Sequence, residues 1–248
     1  MKLLLTSCGI SNQSINDALV ELLGKPISQS DALFVPTAIY PFPEGPRQAL
    51  LAISGQAKSP LCQLGWKSLG ILELTTLGSI EREVWIDTVL SADALLVWGG
   101  DPVFLAYWMK HSGLGEVLRG APGDLVYVGV SAGAMATAST FGEVYQEVPR
   151  CSGERVSSQQ IRFDLVDGRR DLTLVMAQGL GLTDFSIIPH VEFDDPRDVA
   201  NAELWASRLP LASYALDDDS AVRVLDGSVE VISEGCWRLL AADGMPVG

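Results

Sequence analysis

Short, almost unbroken apolar runs recur through the first 130 residues, at 2–6, 32–35, 71–74, 94–98 and 125–130. A strand with one wet face alternates apolar and polar residues, whereas a strand covered on both faces reads apolar throughout. The segments between these runs carry helical periodicity. Residues 14–23 form one such segment and end at Gly24, a natural left-handed C′ residue. Residues 102–118 form another, with Val103, Leu105, Ala106, Trp108 and Met109 on overlapping faces and Pro102 in the first turn. This alternation predicts an α/β fold: a mostly parallel, doubly wound sheet with helices on both faces.

The pattern loosens after residue 145. Residues 146–170 mix polar side chains with Gly and Pro and read as an excursion or flap. A strand is expected at 185–188, a helix at about 198–207, and further strands at 213–216, 221–225, 228–232 and 237–240. Asp226-Gly227 between two alternating runs is a strong hairpin signal. The C-terminal part is therefore expected to add antiparallel strands to the sheet. No internal repeat or linker interrupts the chain, so residues 1–248 are read as a single domain.

With 248 residues, 48% of them apolar and 19% charged, the chain can bury a large core and is not intrinsically disordered. Its 31 acidic against 17 basic residues give a net charge of -14, with no basic cluster. That charge disfavours nucleic acid and anionic membrane surfaces, both of which need cations. Cys8, Cys62, Cys151 and Cys236 lack CxxC spacing, and only two histidines are present, so no Cys/His zinc site is expected. Reduced cysteines in a cytoplasmic protein are the plain reading. The opening MKLLLTSC imitates a lipoprotein signal, but its apolar run is shorter than the ~7 residues an export signal needs. No stretch approaches the ~20 apolar residues of a membrane span.

The segment richest in chemistry is LVYVGVSAGAMA, residues 125–136. It reads as a buried strand, then G-x-S-x-G, then small helix-forming residues, the context of a nucleophile elbow. A serine hydroxyl becomes a useful nucleophile when a sharp turn holds it out of the sheet beside a base. Gly129 and Gly133 remove side chains that would block such a turn at Ser131, and the Ala132 amide is a natural oxyanion donor. Val97-Trp98-Gly99-Gly100-Asp101-Pro102 is a second strand–turn–helix, and its glycines could supply another backbone N–H. It lacks the G-x-G-x-x-G or Walker lysine of a nucleotide site.

Two histidines compete for the role of base. His111 ends a helical segment and suits a C-terminal cap. His190 follows the apolar run 185–188, where a buried strand emerges, and sites in open α/β sheets form beyond the carboxyl ends of strands. The orienting acid is sought in Asp217-Asp218-Asp219, directly after a strand; three consecutive aspartates cannot all point inward. The order Ser, His, Asp differs from the Ser, Asp, His of α/β-hydrolases.

Four segments, VWGGDPVFL, YVGVSAGA, GLTDFSIIPH and YALDDDSAV with the DGSVEV hairpin, together resemble the peptidase E (aspartyl dipeptidase) family of serine peptidases. Its fold is like that of class I glutamine amidotransferases. The resemblance implies Ser131 as nucleophile, His190 as base, Asp218 as third triad member, and Gly100 and Ala132 as oxyanion donors. It implies a small peptide substrate with amino-terminal aspartate and no metal or organic cofactor; a homodimer is left open. The family usually carries three glycines and Asn where this chain has Trp98-Gly99-Gly100-Asp101. Gln146 and Glu147 lie near a place where some members have an Asp. Arg197 is the expected cation for an aspartyl side chain, with Arg150 and Arg162 as rivals. A cyanophycinase-like hydrolase of β-aspartyl links and a non-catalytic binding or sensor protein on the same scaffold are the alternatives. A glutamine amidotransferase would place Cys where Ser131 stands.

Overall fold

The computed structural model describes residues 1–121, 123–149 and 155–247. The chain opens with β1 (Lys2–Thr6), α1 (Gln13–Leu23), β2 (Asp31–Val35), α2 (Gly45–Ile53), β3 (Ser68–Ile71) and α3 (Arg82–Ser91). It continues with β4 (Ala94–Val97), α4 (Pro102–His111), α5 (Leu114–Arg119), β5 (Val126–Val130) and α6 (Ala132–Met135). The remainder comprises β6 (Thr140–Tyr145), β7 (Ser157–Leu165), β8 (Gly168–Gln178), β9 (Ser186–Ile188) and α7 (Pro196–Ala206). Four strands close it: β10 (Ser213–Leu216), β11 (Ser220–Leu225), β12 (Ser228–Ser233) and β13 (Trp237–Leu240).

The central sheet runs β12-β11-β1-β5-β4-β2-β3. Its β1, β5, β4, β2 and β3 are mutually parallel, and β11 and β12 add antiparallel beside β1. Alternation within each strand splits the core between two faces. Leu3 and Leu5 of β1 pack in one cluster with Val97 and Tyr127, while Leu4 packs in the other with Leu96 and Val128. The runs are apolar throughout because both faces are covered. The β11–β12 turn has Asp226 at φ 52° and Gly227 at φ 79°, the left-handed pair that a tight hairpin requires. Among the described residues no helix is long and apolar enough to cross a membrane.

The structure corrects several expectations. The third strand is Ser68–Ile71 rather than 71–74, because Glu73 caps a 3₁₀ turn at Leu74–Ser79 and turns Leu74 and Leu77 inward. The helix expected over 102–118 is two helices, since Gly113 at φ 83° breaks it. The expected excursion is largely ordered: β7 and β8 form a long hairpin, and β6 completes a sheet ordered β6-β8-β7. Ile161 and Phe163 point inward from an otherwise polar β7, so its apolar alternation was too sparse to read. Cys151 and Arg150 lie outside the described residues. Strands β9, β10 and β13 form a third sheet rather than extending the central one.

Candidate active site

β5 is buried along its whole length and delivers Ser131 directly into α6. Ser131 has φ 49° and ψ -109°, a conformation that costs a non-glycine residue roughly 1–3 kcal/mol. Its surroundings enforce that turn. The Ser131 N–H donates to the Thr6 carbonyl of β1 at 3.0 Å, and its own carbonyl accepts from the Ala134 and Met135 amides, both at 2.9 Å. A Cβ on Gly129 would lie 2.7 Å from the Gly133 backbone, and one on Gly133 would lie 2.2 Å from the Val97 carbonyl oxygen. Strand and helix thus approach too closely for any side chain at either motif glycine. The buried Tyr127 hydroxyl donates to the Gly133 carbonyl at 2.7 Å and ties the two halves of the elbow together.

His190 follows the end of β9, and Asp218 follows β10, its parallel neighbour. His190 Nδ1 lies 2.6 Å from Asp218 Oδ1. A carboxylate only accepts hydrogen bonds, so Nδ1 carries the proton and Nε2 of the neutral ring keeps its lone pair. His190 also sits at φ 61°. Its N–H donates to Ser7 Oγ at 2.7 Å, and the Val191 N–H donates to the Leu216 carbonyl at 2.9 Å. Ser7 is fully buried and donates its own hydroxyl proton to Asp218 Oδ1 at 3.2 Å. The aspartate triplet divides its work: the Asp217 carboxylate accepts from the Ser220 hydroxyl and from the Asp219 and Cys236 amides, leaving Asp218 for the imidazole.

The strand register brings these groups to one edge. Thr6 of β1 pairs with Val130 of β5, so Ser7 and Ser131 are the next residues on adjacent parallel strands. Ser7 touches His190 and Asp218, whereas Ser131 Oγ has no side-chain hydrogen bond among the described residues. Beyond β4, a Cβ on Gly99 would sit 3.3 Å from Ser131 Cβ and 3.8 Å from its Oγ, so this loop borders the serine. Gly100 has φ 139°, and a Cβ there would strike the Ala38 carbonyl at 2.2 Å. Ala132 is the first residue of α6, and its N–H therefore has no intrahelical acceptor.

Asp101, almost fully buried, fixes the far side of the glycine loop. Its Oδ1 accepts from the Val103 and Phe104 amides, both at 2.9 Å, and from the Tyr145 hydroxyl at 3.0 Å, while its Oδ2 is buried with no hydrogen-bond partner among the described residues. Burial pushes the Asp101 carboxyl above its usual range. Glu143, two residues before Tyr145 on β6, is raised to about 8, mainly by burial and further by Asp101. In the sequence Asp101 stood out only as the residue where the family usually carries Asn, and nothing marked Tyr145 or Ser7. For Ser7 the available signal was position, directly after the carboxyl end of a parallel strand.

The remaining candidates lie elsewhere or are engaged. His111 stacks on Tyr107 at 5.2 Å between ring centres and lines a separate cavity with Val103 and Gln178. Gln146 and Glu147 are exposed after β6, and neither bonds to His190. Arg162 is paired with Asp171 across the β7–β8 hairpin. Arg197 lines a cavity of about 240 Å³ together with His190, but its guanidinium forks onto Asp195 at 3.0 and 2.7 Å. That pairing holds the Asp195 carboxyl below its usual range. A second cavity of about 400 Å³ beside His190 is walled by Glu192, Asp194, Asp217, Asp218 and Asp219. Among the described residues no group of three or more His, Cys, Asp or Glu is placed to hold a metal ion.

Among solved structures, that of a candidate peptidase E from Listeria monocytogenes EGD-e is similar over 94% of this chain and 98% of its own, at 19% identity and a TM-score of 0.59. The crystal structure of a peptidase from an acI-B1 Actinobacterium is similar over 97% of this chain and 91% of its own, at 17% identity and a TM-score of 0.59. At such identities the likeness is one of fold. No curated protein matches the chain. The model of peptidase family S51 matches residues 3–232, from within β1 to within β12. With so much of its length covered, the chain belongs to peptidase family S51 and is a serine peptidase.

Proposed function

We propose that the chain cleaves short peptides by acyl transfer through Ser131, His190 and Asp218. Ser131 Oγ attacks the scissile carbonyl while His190 Nε2 takes its proton, and Asp218 holds the Nδ1–H tautomer and stabilises the imidazolium. The Gly100 and Ala132 amides receive the developing oxyanion. His190 then gives its proton to the leaving amine, and a water activated by the same imidazole releases the acyl group from Ser131. The scheme uses no metal or organic cofactor. The observation that carries it is the 2.6 Å contact between His190 and Asp218 on the edge where the strained Ser131 emerges. Catalytic hydrogen bonds often tighten only in the substrate complex, and the His190 side chain is about half exposed.

The resemblance points to amino-terminal aspartate, with Arg197 as its cation. An incoming carboxylate must displace Asp195 from that arginine and pass Glu192, Asp194 and Asp219. Uncharged amino-terminal residues suit these walls better.

The test pairs Ser131→Ala with a dipeptide panel that includes α- and β-linked aspartyl peptides. Ser131→Ala is expected to lower turnover by about 10⁶-fold if the three groups act as a unit. Turnover near wild type removes the proposal. Cleavage confined to β-linked peptides supports a cyanophycinase-like reaction. The missing Ser131–His190 hydrogen bond favours one second reading, a binding protein with the hydrolase fold. A folded wild-type chain that neither cleaves the panel nor is labelled at Ser131 by a fluorophosphonate establishes it.

A further inference from the structure

We propose that Ser7 is a positioning residue of the catalytic pair, holding the His190 backbone and the Asp218 carboxylate in register through one hydroxyl. The inference rests on the Ser131–His190–Asp218 reading and adds a residue to it. Ser7 is the first residue after β1, and its N–H donates to the Ser220 carbonyl at 3.3 Å, continuing the β1–β11 ladder. Backbone pairing on one side and complete burial on the other leave its side chain little freedom. Its position is therefore set by the central sheet.

The hydrogen-bond roles are forced. The His190 amide can only donate, so Ser7 Oγ accepts from it at 2.7 Å; the Asp218 carboxylate can only accept, so the Ser7 proton goes to Oδ1 at 3.2 Å. His190 Nδ1 lies 3.5 Å from the same hydroxyl. Asp218 is more than half exposed; Ser7 and His190 hold its Oδ1, and the Cys8 thiol also bonds to its carboxylate. Without Ser7 its carboxylate is freer to change rotamer. His190 is left-handed at φ 61°, a conformation that survives only where neighbours impose it. Ser7 supplies the acceptor for that residue's own amide.

The test compares Ser7→Ala and Ser7→Cys with wild type and Ser131→Ala, using the dipeptide that wild type cleaves fastest. Cysteine keeps the shape but is a weak donor and acceptor, and it supplies the measurement if the alanine variant fails to fold. Both are expected to lower kcat by about 10- to 100-fold per folded molecule, as sub-ångström misplacement of a base does, with KM within about twofold. Without the Ser7 anchor Asp218 spends less time on Nδ1–H and stabilises the imidazolium less, so the acid limb of the kcat/KM profile is expected to move to lower pH. The other ionisable groups lining the cavities beside the pair or bonded to it are Asp164, Glu192, Asp194, Asp195, Asp198, Asp217, Asp219, Cys8, Cys236 and Arg197; both substitutions leave them in place, and Ser7→Ala, which adds no thiol, is the variant that reads the limb. Wild-type kcat in either variant, a rise in KM instead, or an acid limb that stays put or moves up overturns the proposal. Should Ser131→Ala remain active, the triad reading fails first. Should it be inactive while both Ser7 variants match wild type, only the role of Ser7 fails.

Discussion

Asp218 Oδ1 lies 2.6 Å from His190 Nδ1, while Asp217 and Asp219 on either side make no hydrogen bond to the imidazole. One carboxylate of three is thus selected by the turn after β10. Replacing Asp218 by Asn exposes the ring to the wrong tautomer and is expected to lower kcat by about 10⁴-fold. Asp219→Asn is expected to stay within about threefold of wild type. Steady-state kinetics on a cleaved dipeptide separates the two, and equal losses at both positions would count against Asp218.

At Gly133 a Cβ would meet the Val97 carbonyl at 2.2 Å, and backbone cannot yield as a flexible side chain can. Gly133→Ala is expected to destabilise the fold by about 1–3 kcal/mol. Urea unfolding measures this, and an unchanged midpoint would show that the elbow is looser than described.

Glu143, raised to about 8 from an ordinary value of 4.5, keeps a proton in the folded chain that the unfolded chain has released. Stability therefore falls as pH rises through that window and levels off above it. Asp101, also raised by burial, acts in the same direction. Glu143→Gln cannot ionise, so its melting temperature is expected to drop less than that of wild type between about pH 5 and pH 8. Parallel melting curves across that range would remove this account.

Because Arg197 already forks onto Asp195, Arg197→Ala is expected to change kcat/KM for Asp-Leu and Ala-Leu by the same factor. A loss of more than tenfold confined to Asp-Leu would restore the arginine as the aspartate-selecting cation.

Much of the scaffold was legible because burial on both faces writes itself into composition: β4 and β5 carry no charged residue, and β1 has three leucines in a row. Ser131 was legible because Gly129 and Gly133 mark a backbone approach that few other contexts demand. The β7–β8 hairpin was not, since its outward residues are polar and β7 itself buries little beyond Ile161 and Phe163. Ser7 was hidden for another reason. Its importance lies in the pairing of β1 with β11 and β5, strands far apart in the chain, and no local pattern encodes which strand ends become neighbours.

Among the described residues, three non-glycine positions have positive φ; one closes the β11–β12 hairpin, and the other two are Ser131 and His190. Glycine at Ser131 would relieve the local torsion while deleting the hydroxyl, so Ser131→Gly is the substitution by which this molecule trades reactivity for thermal endurance. Torsion and hydroxyl are therefore bound together at this turn: the residue that best relieves the strain carries no nucleophile.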